Sequence, residues 1–465
     1  MFERNLGWLP EGVPAMTDPG LTPTNTPQRG LRLPSFRSLM DFGLVLGGTA
    51  FATATGFILK VVIGRRMGPD ELGIFAMCYA VLTVLSILAD VGVRYSMVNL
   101  GSRVVDEEPE RVKRLIGSGL AVKVVAGAVV MSLGWLLGST IAETVFRKPH
   151  LGPFLQITAV GVFLWVLWDG LEGALHIQQR FSTASGLRII MDAGRLSSFF
   201  ALFFYRDGVL LTMDRYMWLY FLCPGLSVAV GLVLVRMLMQ PSLNEWRANV
   251  GELMHFGRGV FVYRAATLIL LCIDSLMLTR YGALEQVGQF EAAKGLAYAL
   301  LLVSESVGMV LLPKVNRINS LEQIRDLIRR CGTYFGVLAL AALVWLSLAG
   351  RFLVVFGEKF TLPSVVHTFQ IMVVVTLFTI PSTILGTVLL SLRRPDALGK
   401  IAGCQVLLAV LLYPVTCVQG GIIGTALTGV LLQCMGAVAL ALVLRKEIRG
   451  KTTHPAFLKE NPGND

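Results

Sequence analysis

The sequence predicts an all-α polytopic membrane protein with twelve transmembrane helices in two six-helix lobes. Three observations carry that reading. The 465 residues are 54% hydrophobic and 15% charged, with a mean hydropathy of +0.67, whereas a soluble domain averages about 25% charged. Apolar runs of about 20 residues recur along the chain, the length that crosses roughly 30 Å of hydrocarbon as a helix. The chain also repeats itself. Phe42-Gly43 opens an apolar run that ends in Arg65-Arg66, Gly68, Glu71 and Gly73, and Phe256-Gly257 opens a second that ends in Arg280, Gly282, Glu285 and Gly288. Phe42 to Arg66 and Phe256 to Arg280 both span 24 positions, so the second copy starts 214 residues after the first. Six spans per copy give both copies one orientation, related by a pseudo-two-fold axis along the membrane normal with a cavity between them.

Taken in order, residues 1–38 are rich in Pro, Thr, Gly and Asn and lack the apolar core of a cleavable signal peptide. They read as a disordered cytoplasmic tail. An N-terminal lobe over 39–240 and a C-terminal lobe over 241–448 follow, then a cytoplasmic tail over 449–465. Within the lobes the spans are predicted at 42–64, 72–92, 115–138, 153–175, 187–205 and 216–236, then at 257–279, 287–312, 332–350, 364–390, 398–417 and 420–444. In or at the edges of the connecting segments, 27 Lys and Arg fall on one side of this topology and 9 on the other. That bias places both termini in the cytoplasm. The outward connections are too short to fold as domains, and no soluble module is present to house a nucleotide or a sugar donor.

The net charge of +11 does not imply nucleic-acid binding, because the basic residues sit in short loops beside apolar spans, as topology requires. Seven cysteines lie in or at the ends of spans, with no Cys-x-x-Cys and no Cys/His cluster. They read as small buried hydrophobes, with no disulfide framework and no metal site expected. No Gly-rich loop of the Walker type is present, so ATP is not expected as the energy source.

Ionisable residues inside a membrane are costly, so they are candidates for function. Leaving aside Arg188, Arg236, Arg258 and Lys400 at the span edges, five basic residues (Lys60, Lys123, Arg195, Arg264, Lys294) and seven acidic ones fall inside the spans. The acids must therefore be paired, protonated or turned away from any cavity that takes an anion. The 214-residue offset aligns Lys60 with Asp274, and after a one-residue insertion Asp90 aligns with Glu305. Thr49, Thr53, Gly56 and Lys60 share one helical face, as do Glu291, Tyr298 and Glu305. Such polar stripes suit a wet cavity wall, although Lys60 lies close enough to its span's outer end to snorkel. Arg188, Asp192 and Arg195 are spaced to neutralise one another, as are Glu291 and Lys294. Asp169, Glu172 and His176 share a face towards one end of their span. Arg66 and Arg280 stand at the outer rim, where headgroup anchoring and substrate contact are equally open. Pro224, Pro381 and Pro414 allow kinks, and Gly134-x-x-x-Gly138 and Gly420-x-x-x-Gly424 allow close helix contact.

Several motifs resemble a known family. Arg66-x-Gly68-Pro69-x-Glu71-x-Gly73-x-Phe75, Ala89-Asp90-x-Gly92, Asp274 within CIDSLML, and Val287-Gly288-x-Phe290-x-Ala292-Ala293 occur in order. Pro313, Phe356-Gly357-x-x-Phe360 and Gly421-Ile422-x-Gly424-x-Ala426 continue the series. Together they are similar to the oligosaccharide (O-antigen-type polysaccharide) flippases of the multidrug/oligosaccharidyl-lipid/polysaccharide exporter superfamily, over about residues 38–445. Phe290 stands where that family more often has Tyr.

The resemblance implies a translocator of a polyprenyl-pyrophosphate-linked oligosaccharide in the bacterial cytoplasmic membrane, working beside polysaccharide polymerase or export machinery. It implies no covalent chemistry and no cofactor. Arg264 and Lys123 are the first candidates for pyrophosphate contact, with Lys60, Asp274, Lys294, Arg66 and Arg280 as further cavity candidates. Asp90, Asp274, Glu291 and Glu305 are candidates for coupling transport to an ion gradient. A cation-coupled multidrug exporter of the same fold is the alternative. Such exporters usually carry an acid in span one, where this chain has Lys60. A membrane-bound polymerase or sugar transferase would need a sizeable loop or catalytic domain that is absent.

Overall fold

The computed structural model describes residues 36–105, 107–204, 211–236, 239, 246–315, 335–336, 339–391 and 395–452. The predicted tails fall largely outside them, as do the side chains of 302–315, Glu305 and Pro313 included. Regular structure among the described residues is helical throughout. The helices α1 (Phe36–Arg66), α2 (Pro69–Asp90), α3 (Val93–Val104) and α4 (Pro109–Thr144) come first. Next are α5 (Gly152–Ile177), α6 (Phe181–Phe204), α7 (Met213–Val235), α8 (Trp246–Tyr281) and α9 (Leu284–Val315). A short helix, α10 (Ala339–Ser347), meets the segment Ala349–Phe356 at 70°. That segment opens with α11 (Ala349–Leu353), and α12 (Pro363–Ser391) and α13 (Pro395–Thr452) close the series.

The starts and stops follow from local chemistry. Proline stands in the first turn of α2, α4 and α5, where its missing N–H removes nothing from the helix. Asp70 and Glu71 in the first turn of α2 and Arg65 and Arg66 in the last turn of α1 complement the helix dipoles. At the end of α2 the backbone turns left-handed at Val91 (φ 48°) and Gly92 (φ 80°), and α3 departs in a new direction. α3 lies in the connection between the spans predicted at 72–92 and 115–138.

Eight helices among the described residues are long and apolar enough to cross a membrane, or nine if the bent pair is one span. The protein is a multi-pass membrane protein. α6 and α9 form where spans were predicted; in α6 the three ionised residues Arg188, Asp192 and Arg195 keep it out of that count. The segment Asp396–Glu447 has 52 residues, about 78 Å of helix, more than twice the roughly 30 Å of hydrocarbon. It breaks at Gly421, whose backbone is non-helical (φ 52°, ψ −133°), one residue into the second of the two spans predicted there.

The closest approach between helices joins the two sequence repeats. A Cβ on Gly73 of α2 would lie 2.1 Å from the Leu284 carbonyl oxygen, and one on Gly288 of α9 would lie 1.9 Å from that of Pro69. Gly288 aligns with Gly73 in the repeat, and Pro69 and Leu284 each stand four residues before the glycine of their own helix, so the contact is reciprocal. A second approach sets Gly92 against Gly257 of α8, where a Cβ on either would lie 2.8 Å from the other's carbonyl oxygen. Glycine is required at both places because the obstacle is backbone, which cannot rotate aside. Gly134 and Gly138 pack against side chains instead, the Cβ of Ala159 and the Cγ of Gln156 in α5.

Gly73→Ala is expected to push α2 off α9 and lower stability by at least about 1–3 kcal/mol, as overpacking does. Gly186→Ala in α6, where a Cβ meets nothing within 4 Å, is expected to leave stability unchanged or raise it slightly. Thermal unfolding of the two variants in detergent checks the contrast.

Candidate functional site

Three groups of ion pairs lie inside the helical body. The largest joins α2 to α6. Lys123 of α4, fully buried, donates to Asp90 at the end of α2 and, at 2.7 Å, to Asp169 Oδ2 of α5. Arg94 of α3 donates to Asp169 Oδ1 with one nitrogen, and its other terminal nitrogen lies 2.7 Å from Glu172 Oε2. Arg188 of α6 reaches Glu172 Oε1 at 3.7 Å. The Arg94 backbone N–H also donates to Asp90 Oδ1 at 3.1 Å, which holds the first turn of α3. Three cations and three carboxylates make this group neutral.

The second group joins α1, α8 and α9. Lys60 donates to Glu291 Oε2 at 2.9 Å. Lys294 lies 2.8 Å from Asp274 Oδ1 and 3.6 Å from Glu291 Oε1, and donates to the Leu271 carbonyl at 2.7 Å. Ser275 donates to Glu291 through its hydroxyl and to Asp274 Oδ1 through its N–H at 2.7 Å. This group too is neutral. The aligned residues Lys60 and Asp274 thus belong to one network, linked through Glu291 and Lys294. The third group is Asp192 with Arg195, 3.0 Å apart, with the Arg195 guanidinium over the Trp165 and Tyr220 rings.

Six of the seven intramembrane acids are accordingly paired, and the seventh, Glu305, has its side chain outside the described residues. The sequence count of five basic to seven acidic residues resolves once Arg94 and Arg188 are seen to reach inward. Arg188 pairs with Glu172 of α5, whereas the spacing had suggested Asp192. Lys123, an expected pyrophosphate contact, turns its ammonium to Asp90 and Asp169 and has no exposed surface here.

Arg264 of α8 is different. It is exposed and makes no hydrogen bond or ion pair among the described residues. It lines a cavity of about 240 Å3 between α2, α5 and α8. On the α2 side that cavity is bordered by Tyr79, Thr83, Ser86 and Asp90, and on the α5 side by Trp165 and Asp169. Because the adjacent network is neutral, Arg264 leaves the cavity one positive charge in surplus. Beside Asp274 lies a second cavity of about 20 Å3, touched by Tyr298, Gln405 and Tyr413, with room for about one water.

The remaining candidates sit apart from these cavities. Arg66 is exposed and covers the Phe203 ring at 4.6 Å. Arg280 donates to the carbonyls of Thr144 and Val145 at the end of α4. Lys148, just past α4, returns the contact by donating to the carbonyls of Thr279 and Gly282 at the end of α8. Partial burial lowers the Lys148 pKa from its usual value. Each helix C-terminus is therefore met by a cation from the other, as the helix dipole favours.

Two features escaped the sequence reading. Arg94 falls between the spans predicted at 72–92 and 115–138, although its i, i+4 spacing from Asp90 marks a possible pair. Tyr79, Thr83, Ser86 and Asp90 run at intervals of 4, 3 and 4 along one face of an otherwise apolar helix, a stripe the helical period would have revealed.

Apolar spans, paired interior charges and a cation-bearing cavity define a polytopic membrane protein with a polar interior. The chain belongs to the polysaccharide biosynthesis protein family (Polysacc_synt), whose model matches residues 39–319. It is 21% identical over 322 residues to the lipid III flippase of Escherichia coli (strain K12), covering 67% of this chain and 76% of that protein, and equally to that of Shigella flexneri. Among solved structures it is similar in fold to the lipid II flippase MurJ in an inward closed conformation, with TM-score 0.71 and 14% identity over 90% of this chain and 94% of that one. An inward-facing multidrug resistance MATE family transporter of the MOP superfamily matches with TM-score 0.69 and 14% identity, over 89% and 99%.

Lys123→Met is expected to cost about 3–5 kcal/mol, the penalty for leaving buried carboxylates without their partner. Lys60→Met, whose side chain is 23% exposed, is expected to cost clearly less. Thermal denaturation of both variants in the same detergent measures the difference.

Proposed function

We propose that this protein flips a polyprenyl-pyrophosphate-linked oligosaccharide across the bacterial cytoplasmic membrane for polysaccharide biosynthesis. The observation that carries the reading is Arg264, a guanidinium without an ion-pair partner among the described residues, on the wall of a cavity whose other described charges cancel. A guanidinium presents forked donors that match a phosphate. Family membership and the likeness to a lipid III flippase point to the same substrate class. The headgroup enters the cavity while the prenyl chain stays in lipid, and two six-helix lobes rock about it with both termini in the cytoplasm. No covalent bond is made; the protein lowers the cost of moving sugars and a pyrophosphate through hydrocarbon. Energy comes from an ion gradient, with Asp90, Asp274, Glu291 and Glu305 as the candidate coupling acids. Lys123 and Lys294 act by holding those carboxylates. Polysaccharide polymerase or export machinery would receive the product.

A cation-coupled multidrug exporter is the second reading, supported by the fold likeness to MATE transporters. A cavity with surplus positive charge disfavours the cationic drugs that such an exporter would carry, so the flippase reading is preferred.

Arg264→Glu is expected to abolish surface glycan in a strain that depends on this protein, with its amount in the membrane unchanged, while Arg264→Lys retains part of the activity. Surface glycan and membrane protein are measured in the same cells. Full glycan display with Arg264→Glu, or drug resistance conferred on a pump-deficient strain, contradicts the proposal.

A further inference from the structure

We infer that the α2 face of the 240 Å3 cavity is a subsite for one sugar ring, read through the hydroxyls of Tyr79 and Ser86 and the free oxygen of Asp90. The inference rests on the reading of Arg264 as the anion contact, and it adds the group that lies beside the anion.

The first ground is an unsatisfied polar atom. Ser86 is 8% exposed and its Oγ has no hydrogen-bond partner among the described residues, although buried hydroxyls in native structures are nearly always bonded. It lines the cavity, so a ligand hydroxyl there would complete it. The Tyr79 hydroxyl, one helical face along, also makes no hydrogen bond among the described residues. Thr83 between them donates to the Tyr79 carbonyl at 2.8 Å, accepts from the Cys272 thiol and keeps one acceptor lone pair. Asp90 receives Lys123 and the Arg94 N–H on Oδ1, and Oδ2 accepts nothing among the described residues.

The second ground is the kind of groups present. A phosphate needs donors only, and Arg264 supplies them. Tyr79, Thr83, Ser86 and Asp90 add acceptors, which a phosphate cannot use and a polyol can. Trp165 offers an aromatic surface to the same cavity, suited to the C–H face of a pyranose. A lipid chain would need none of these polar groups, and an aromatic drug would leave the carboxylate unmatched.

Size sets the stoichiometry. About 240 Å3 lies below the roughly 300–1,000 Å3 of pockets that bury drug-sized ligands. The subsite takes a single ring next to its phosphate, with the rest of any glycan outside it.

The test uses the purified full-length protein in detergent and measures affinity for a short-chain prenyl pyrophosphate, bare or bearing one glucosyl, galactosyl or N-acetylglucosaminyl residue. At least one sugar is expected to tighten binding by about ten-fold over the bare pyrophosphate. Tyr79→Phe and Ser86→Ala, which keep the packing and remove one hydroxyl each, are expected to reduce that gain by about 3–10-fold each and to leave the bare pyrophosphate affinity unchanged. No gain from any of the three sugars, or a gain undiminished in both variants, overturns the subsite. Bare pyrophosphate binding that survives Arg264→Glu overturns the anion reading instead, so the two failures are distinct.

Discussion

An ionised group in hydrocarbon must find its opposite, and this protein is organised by that requirement. The penalty for an isolated charge at mid-membrane is at least about 2.5–3.5 kcal/mol, and removing one partner of a buried pair costs about as much or more. Asp90, Asp169 and Glu172 meet Lys123, Arg94 and Arg188, and Asp274 and Glu291 meet Lys294 and Lys60. Asp192 meets Arg195. Because each group is neutral, a single extra cation changes the character of the cavity, and Arg264 is that cation.

The networks and the glycine contacts are two parts of one arrangement. Gly73 against Leu284 and Gly92 against Gly257 let α2 lie backbone-to-backbone on α9 at one end and on α8 at the other. With those two points fixed, the middle of α2 faces α8 across a gap that cannot be filled by backbone. Its polar stripe and Arg264 border that gap. Small residues at the ends of the crossing thus create the room at its centre, and the ion pairs on α3, α4 and α5 hold the wall on one side.

Much of the fold was legible because a membrane span is the strongest signal a sequence carries. The run predicted at 153–175 is α5 at Gly152–Ile177, and that at 364–390 is α12 at Pro363–Ser391. The unforeseen elements were those that hydrophobicity does not encode. α3 depends on left-handed backbone at Val91 and Gly92, and the 70° bend before Ala349 leaves no comparable trace in composition. For the charges, sequence could estimate depth but not partners. Arg264 and Lys123 looked alike as single cations within spans. Tertiary packing sets Lys123 between two carboxylates and leaves Arg264 facing open space, a distinction that no spacing within one helix could supply. Local pairing was read correctly for Asp192 with Arg195, three residues apart, and missed for Arg188, whose partner is on another helix.

A transport site must hold its cargo firmly enough to admit it and loosely enough to let it go. On the proposed reading the interior contains enough cations to bind a pyrophosphate very tightly, and a wall that left all of them bare would retain the headgroup. Neutralising Lys123, Arg94, Arg188, Lys60 and Lys294 with carboxylates avoids that trap. The anion is left with one strong contact, and any further cation must be won from a carboxylate already bound to it. Arg94, with 23% of its side chain exposed, is one such competitor at the cavity wall. The carboxylates therefore do more than make the interior tolerable to hydrocarbon: by competing with the cargo for the same cations, they keep its binding reversible.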